Sequence, residues 1–220
     1  MNIKTDINEA LRYLGCKEYN KELAEECTQC INEINEIMTP RWAYGVFAIC
    51  PENCGVKLLN TDIIFTSKEI NKLLRCSEKC VIMAVTLGAA VDKRISFYQK
   101  TDMSKAVVFD ACASATVEAL CDYVTEIIKS KENVKYLTMR YSPGYGDFDI
   151  SVQKKIIAVT DAYKRIGLTT TSSMLLTPTK SVTAVMGITN EPYMVSFGGC
   201  ESCSYYNTCA FRKSGNTCKG

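Results

Sequence analysis

The sequence predicts an α+β fold: one domain over residues 1–197 and a short cysteine-rich tail over residues 198–220. Two observations carry this. Helical and strand patterns are mixed along the chain without the regular β-α-β rhythm of a doubly wound sheet. With 220 residues, 47% hydrophobic and 23% charged, the chain can bury a sizeable core and is too apolar for disorder.

The first helix is expected over about Asp6–Cys16, with Leu11 and Leu14 on one side. A second, over Lys21–Met38, carries Leu23, Cys27, Cys30, Ile31, Ile34 and Ile37 at helical spacing, and Pro40 ends it. Trp42–Cys50 is rich in aromatic and β-branched residues and reads as a strand; the CPENCG stretch after it reads as a turn. Short strands follow near Val56–Leu59 and Asp62–Phe65. Ser67 is placed to cap a helix over Lys68–Arg75, with Glu69 in its first turn. Lys79–Thr86 (KCVIMAVT) is a continuous apolar run suited to a buried central strand. Leu87-Gly88 leads into a helix ending near Lys100, and Asp102–Ser130 reads as a long helix, the spine of the fold. Tyr136–Arg140 is a short strand and RYSPGYGDFD a loop. Ile150–Arg165 is one amphipathic helix stopped by Gly167. Val182–Ile188 and Tyr193–Phe197 form a hairpin over Thr189–Pro192.

Charge and composition exclude several functions. Lys+Arg is 26 and Asp+Glu 24, a net charge of +2, which gives no electrostatic pull toward nucleic acid or a membrane surface. The longest apolar stretch, Val81–Val91, is interrupted by Thr86 and Gly88 and falls short of the roughly 20 residues of a membrane span. MNIKTDINEALRYLG reads as a polar helix start and not a signal peptide, so a cytoplasmic protein is expected. There are 13 cysteines and no histidine. The odd count favours reduced thiols over a disulfide framework. The missing histidine removes Ser-His-Asp and Cys-His nucleophiles and every His-ligated metal.

Three constellations could carry chemistry. In Arg140-Tyr141-Ser142-Pro143-Gly144-Tyr145, a strand runs into a loop. Pro143 stiffens that loop and Gly144 permits positive φ or close ligand approach. Arg140 offers a planar fork for a carboxylate or phosphate, and Tyr141 and Tyr145 offer flat faces for an adenine or a cation. An arginine paired with a local acid beside a Pro-Gly turn explains the pattern as well. Asp110 and Glu118 lie eight residues apart on the long helix, on nearly one face. An acid inside VVFDACA is either part of a structural ion pair or a receptor for a ligand's ammonium group. Cys200, Cys203, Cys209 and Cys218 place four thiols within nineteen residues of a Gly/Ser/Asn-rich stretch. Thiolate-only coordination suits an iron–sulfur cluster, which the uneven spacing favours, or a structural zinc ion; free or redox thiols are the other reading. The pairs Cys50/Cys54 and Cys76/Cys80 flank turns and are weaker candidates, and Cys27 and Cys30 read as core.

RYSPGY, followed by Lys154 fourteen residues after Arg140, resembles the S-adenosylmethionine (SAM) loop of the activation domain of cobalamin-dependent methionine synthase. EALRYLG, VIMAVTLGAAVDKRI, AVVFDACASATVEALCD and LTTTSSMLLTPTKSVTAVMGI are similar, in collinear order, to the stand-alone form of that family. The resemblance implies a twisted, mainly antiparallel sheet flanked by helices. It implies a SAM-binding accessory component that acts in trans in reductive methylation of cob(II)alamin on a methionine synthase or another corrinoid methyltransferase. Arg140 matches the residue that meets the SAM carboxylate. Pro143, Gly144 and Tyr145 match the ligand loop, and Asp110 and Glu118 match acidic helix positions. Ser114 stands where the fused domain has a further acid, and that domain's N-terminal aromatic-acidic segment has no counterpart. Without a histidine or a cobalamin motif, the chain depends on a partner's cobalamin module for the corrin, and on a reductant protein or the tail's cluster for the electron. A module of the same fold that has lost SAM chemistry, with a zinc-clipped tail for partner contact, is the alternative.

Overall fold

The computed structural model describes residues 1–16, 18–53 and 55–193, together with Asn207. The amino-terminal part forms α1 (Ile7–Tyr13) and α2 (Lys21–Ile37). β1 (Arg41–Glu52), β2 (Gly55–Leu58) and β3 (Ile64–Phe65) follow, then α3 (Lys68–Leu74) and β4 (Lys79–Thr86). α4 (Ala89–Thr101) and α5 (Met103–Glu132) lead to β5 (Tyr136–Leu137). α6 (Val152–Val159), α7 (Ala162–Ile166), β6 (Thr169–Thr170), β7 (Leu176–Thr177) and β8 (Ser181–Thr189) complete the chain order.

The helix starts are built as their sequences dictate. Asp6, Asn20, Ser67 and Asp102 each place a side-chain oxygen on an amide of the first turn, at about 3 Å. Asn133 closes α5 in the left-handed region, at φ 52°.

Among the described residues six strands form one sheet in the order β3-β2-β1-β4-β8-β5, every neighbouring pair antiparallel. β4 lies between two partners and is covered on both faces, which its unbroken apolar run requires. Val81, Met83 and Val85 join the core beneath α1, α2, α4 and α5. Cys80 and Ile82 face the opposite core with α3 and α6, and Ala84 packs with α7. The 30-residue α5, about 45 Å long, is the spine of the first layer. Its Ala106, Ala113 and Ala115 are buried and let α1, α2 and α4 approach closely. No helix among the described residues is long and apolar enough to cross a membrane.

The structure departs from the sequence reading in four places. β1 continues to Glu52, so Pro51 and Glu52 pair with Val56 and Gly55 and do not turn. The expected helix Ile150–Arg165 is two helices, because Asp161 takes a left-handed φ of 51° after Thr160. The ribbon β6–β7 has no counterpart in the sequence reading. The strand expected to Arg140 stops at Leu137 and resumes only at Tyr141, which exchanges both backbone hydrogen bonds with Val185. Residues 194–197 of the expected hairpin and the tail cysteines lie outside the described residues.

The interrupted strand inserts one residue. Leu137 pairs with Ile188 and Tyr141 with Val185, so four steps on one side match three on the other. An extra residue reverses the in–out alternation. Leu137 packs toward the α5 core, and Tyr141 packs in the opposite one. Between them Arg140 turns to α5, the face it would miss in a regular strand.

Candidate functional site

One face of α5 carries Asp110, Ser114, Glu118 and Asp122 at successive four-residue steps. Two cations from elsewhere in the chain lie on this stripe. The Lys180 ammonium, just before β8, is 2.9 Å from Asp110 Oδ1, 2.9 Å from Ser114 Oγ and 3.2 Å from the Asp110 carbonyl. The Arg140 guanidinium donates to Asp122 Oδ1 at 2.6 Å and to Glu118 Oε2 at 3.1 Å. Burial opposes the Arg140 charge. The Asp122 and Glu118 carboxylates act against that loss and favour the protonated guanidinium. Adjacent Cys121 is wholly buried, which pushes its thiol far up and leaves it neutral.

A cavity of about 390 Å³ opens beside the stripe, between α1, α4 and α5, lined by Tyr13, Leu14, Gln99, Met103, Asp110 and Ser114 among others. Tyr13 on the cavity wall also feels the charge of Glu118, the partner of Arg140. Burial pushes its phenol up, and the nearby Glu118 carboxylate adds to this, so the hydroxyl stays protonated.

The loop after Arg140 is tied down at several points. Gly144 has φ +94° and donates its amide to the Phe148 carbonyl at 2.7 Å. Tyr145 presents its ring to solvent, 67% exposed. Gly146 has φ +53°, and a Cβ there would collide with the Glu69 carboxylate and the Tyr141 hydroxyl. Asp147 accepts from the Ser67 hydroxyl and from the Lys68 and Glu69 amides at the start of α3.

Burial pushes the Asp147 carboxyl up, but the hydrogen bonds from Ser67, Lys68 and Glu69 prevail and hold it below the usual carboxylate value. A carboxyl depressed in the folded state stabilises fully above its unfolded value of about 3.9. That contribution fades as the pH falls through the lower folded value. Asp147→Asn is therefore expected to cost stability at neutral pH and to flatten the loss below about pH 4. Acid titration of the melting temperature, with amide exchange over residues 142–149, checks this. Superimposed profiles for the two proteins would show that the anchor contributes nothing.

The structure brings Asp110, Glu118 and Arg140 onto one side of α5; the Pro143–Tyr145 loop that follows Arg140 is anchored to α3 through Asp147, with the Tyr145 ring open. It separates Tyr141 from them: that ring is buried and stacked on Phe148 at 6.1 Å, so it supports the loop and offers no ligand face. Asp110 is half exposed at the cavity wall and not enclosed in the core as its apolar neighbours suggest. Sequence reasoning misses Tyr13, Asp122 and Lys180. Asp122 continues the four-residue stripe and could be found by extending it; Tyr13 and Lys180 carry no local signal. Among the described residues no group of three or more His, Cys, Asp or Glu could hold a metal. Cys80 is buried and Cys76 exposed, and Cys54 lies outside the described residues.

The family model of the vitamin B12 dependent methionine synthase activation domain matches residues 70–202. The chain belongs to that family. The matched span runs from α3 past β8 and includes the acidic stripe of α5, Arg140, its loop and Lys180. A solved structure of the MetH reactivation domain bound to AdoHcy superposes with a TM-score of 0.67. The match covers 96% of this chain and 83% of that one at 14% identity, so the activation domain shares that fold along nearly its whole length. No curated protein sequence matches the chain.

Proposed function

We propose that this activation domain binds SAM along the charged stripe of α5. There it presents the methyl group, in trans, to cob(II)alamin carried by a cobalamin-dependent methionine synthase or related corrinoid methyltransferase. The observation that carries the reading is the charge pattern. Three carboxylates, of Asp110, Glu118 and Asp122, face two cations, of Lys180 and Arg140, leaving one negative charge. SAM has one carboxylate, one ammonium and one sulfonium, a net charge of +1, and so complements the cleft. Arg140 commits three of its five N–H donors to Asp122, Thr125 and Glu118. The remaining two, on Nε and Nη2, suit a ligand carboxylate. Glu118 and Asp110 suit the ammonium. The exposed Tyr145 ring suits an adenine or the sulfonium. AdoHcy in the MetH reactivation domain is of matching chemistry.

Reductive methylation consumes one electron from a reductant to take the partner's corrin from cob(II) to cob(I), whose electron pair takes the methyl group and leaves AdoHcy. No proton moves, so the chain needs no acid–base residue, in keeping with its lack of histidine. Its task is to hold the donor in line with the metal. In this proposal Cys200, Cys203, Cys209 and Cys218 of the tail would hold an iron–sulfur cluster, and that cluster would supply the electron. Iron and visible absorption in anaerobically purified protein are expected.

Calorimetric titration of SAM into the anaerobic protein, alone and with a cobalamin-loaded partner module, tests the ligand. Saturable binding in either case is expected. Absence of binding in both, with stoichiometric zinc in the tail, would favour the scaffold reading. The observation on its side is that Arg140 is already paired with two acids.

A further inference from the structure

We infer that Lys180 tunes the cleft's choice between methyl donor and demethylated product, holding down its preference for the sulfonium ligand. The inference rests on the SAM reading and adds a residue and a specificity to it. The Lys180 side chain is only 9% exposed. Its ammonium spends all three donors within the protein, on Asp110 Oδ1, the Asp110 carbonyl and Ser114 Oγ. The backbone that carries it is pinned by Asp92 at the start of α4, which accepts from the Thr179 and Lys180 amides at 2.6 and 3.3 Å. Lys180 is therefore a fixed charge with no donor left for a ligand, and it acts through Asp110 and through its field. Both residues it holds, Asp110 and Ser114, line the cavity beside Tyr13.

The two ligands of a methyl transfer from SAM differ by one charge. SAM has a net charge of +1, and AdoHcy, with a thioether in place of the sulfonium, is neutral. A fixed charge in the cleft acts on that difference. Asp110 alone would favour the sulfonium, and Lys180 cancels most of this. The cancellation also serves the reaction. Positive charge leaves sulfur as the methyl group transfers, so an uncompensated anion in the cleft holds the ground state more tightly than the transition state. Neutralising Asp110 keeps the cleft from trapping the donor.

The test titrates SAM and AdoHcy separately into the full chain and compares wild type, Lys180→Met, Lys180→Arg and Asp110→Asn, with thermal melting as the check on folding. The ratio of the two affinities is the readout, because a merely structural role would weaken both ligands together. Lys180→Met is expected to raise the preference for SAM about fivefold, the effect of one unit charge across a partly solvated cleft. Lys180→Arg should leave the ratio near wild type, and Asp110→Asn should lower it. If Lys180→Met fails to fold, the half-exposed Asp110→Asn carries the comparison alone. A ratio unchanged by removing either charge, with both ligands bound, overturns this inference and leaves the SAM reading standing. Wild-type protein that binds neither ligand, even with the corrinoid partner, overturns the SAM reading and this inference with it.

Discussion

Phe109→Ala is expected to destabilise the domain by about 3–5 kcal/mol, the range for emptying a buried aromatic site. Phe109 is fully buried at the middle of the first layer, with its ring 5.4 Å from that of Tyr98 on α4. The site cannot close easily. α4 is held to α2 by Arg94 and Tyr98, both of which donate to the Glu33 carboxylate, and Lys105 of α5 lies 3.8 Å from the same group. Walls fixed by hydrogen bonds relax little, so the lost transfer energy and the cavity cost add. Against a total stability of about 5–15 kcal/mol, the loss is a large fraction. Val107, two residues away and 55% exposed, is the control: Val107→Ala should stay within about 0.5 kcal/mol. Denaturant midpoints at constant slope measure both. A Phe109→Ala cost below about 1.5 kcal/mol would mean that the layer collapses onto the hole and that α5 is not its rigid spine.

How legible this fold is in the sequence depends on whether the signal is local. β4 announces itself because a strand covered on both faces must be apolar throughout, and α5 because a capped start precedes thirty residues without a breaker. The break at Asp161 has no such mark. Aspartate tolerates the left-handed region nearly silently, and Ile156, Ile157, Ala162 and Ile166 keep an apolar pattern across it. β6 and β7 are two residues each, too short to show a period. The extra residue between Leu137 and Tyr141 is invisible for a different reason. It is a property of the pairing with β8, and nothing in TMRY states which side chain will be skipped.

The same insertion explains why Arg140 and Tyr141 are not the two ligand-facing neighbours that the sequence suggests. In an uninterrupted strand neighbours already point to opposite faces, and the inserted residue decides which of them gets α5. Arg140 does, and Tyr141 is buried with Phe148. Asp110 and Glu118 are legible because eight residues on a helix is a fixed geometry. Their cations are not: Lys180 is 70 residues from Asp110 and Arg140 is 22 from Glu118, and only the antiparallel sheet brings them to the stripe.

Arg140→Ala is expected to weaken SAM binding more than tenfold, about 1.4 kcal/mol, while changing stability by about 1 kcal/mol or less. The two numbers separate because the groups around Arg140 differ in exposure. Its own side chain is 23% exposed, but Asp122 is 72% and Glu118 44% exposed, so in the free protein water screens the carboxylates that lose their partner. A bound ligand changes this balance. Its carboxylate would sit against Nε and Nη2 with Glu118 at hand, and without the guanidinium two like charges would meet where water is being displaced. A charge-assisted pair in that setting is worth about 1.5–3 kcal/mol. A lysine in place of the arginine restores the charge without the fork, so Arg140→Lys should recover part of the affinity and not all of it. Paired calorimetry and melting on the three proteins give the comparison. Equal SAM affinity in wild type and Arg140→Ala would move the ligand off the Arg140 end of the stripe. A large fall in melting temperature with no change in affinity would make Arg140 a strut between the β5 edge of the sheet and α5 and nothing more.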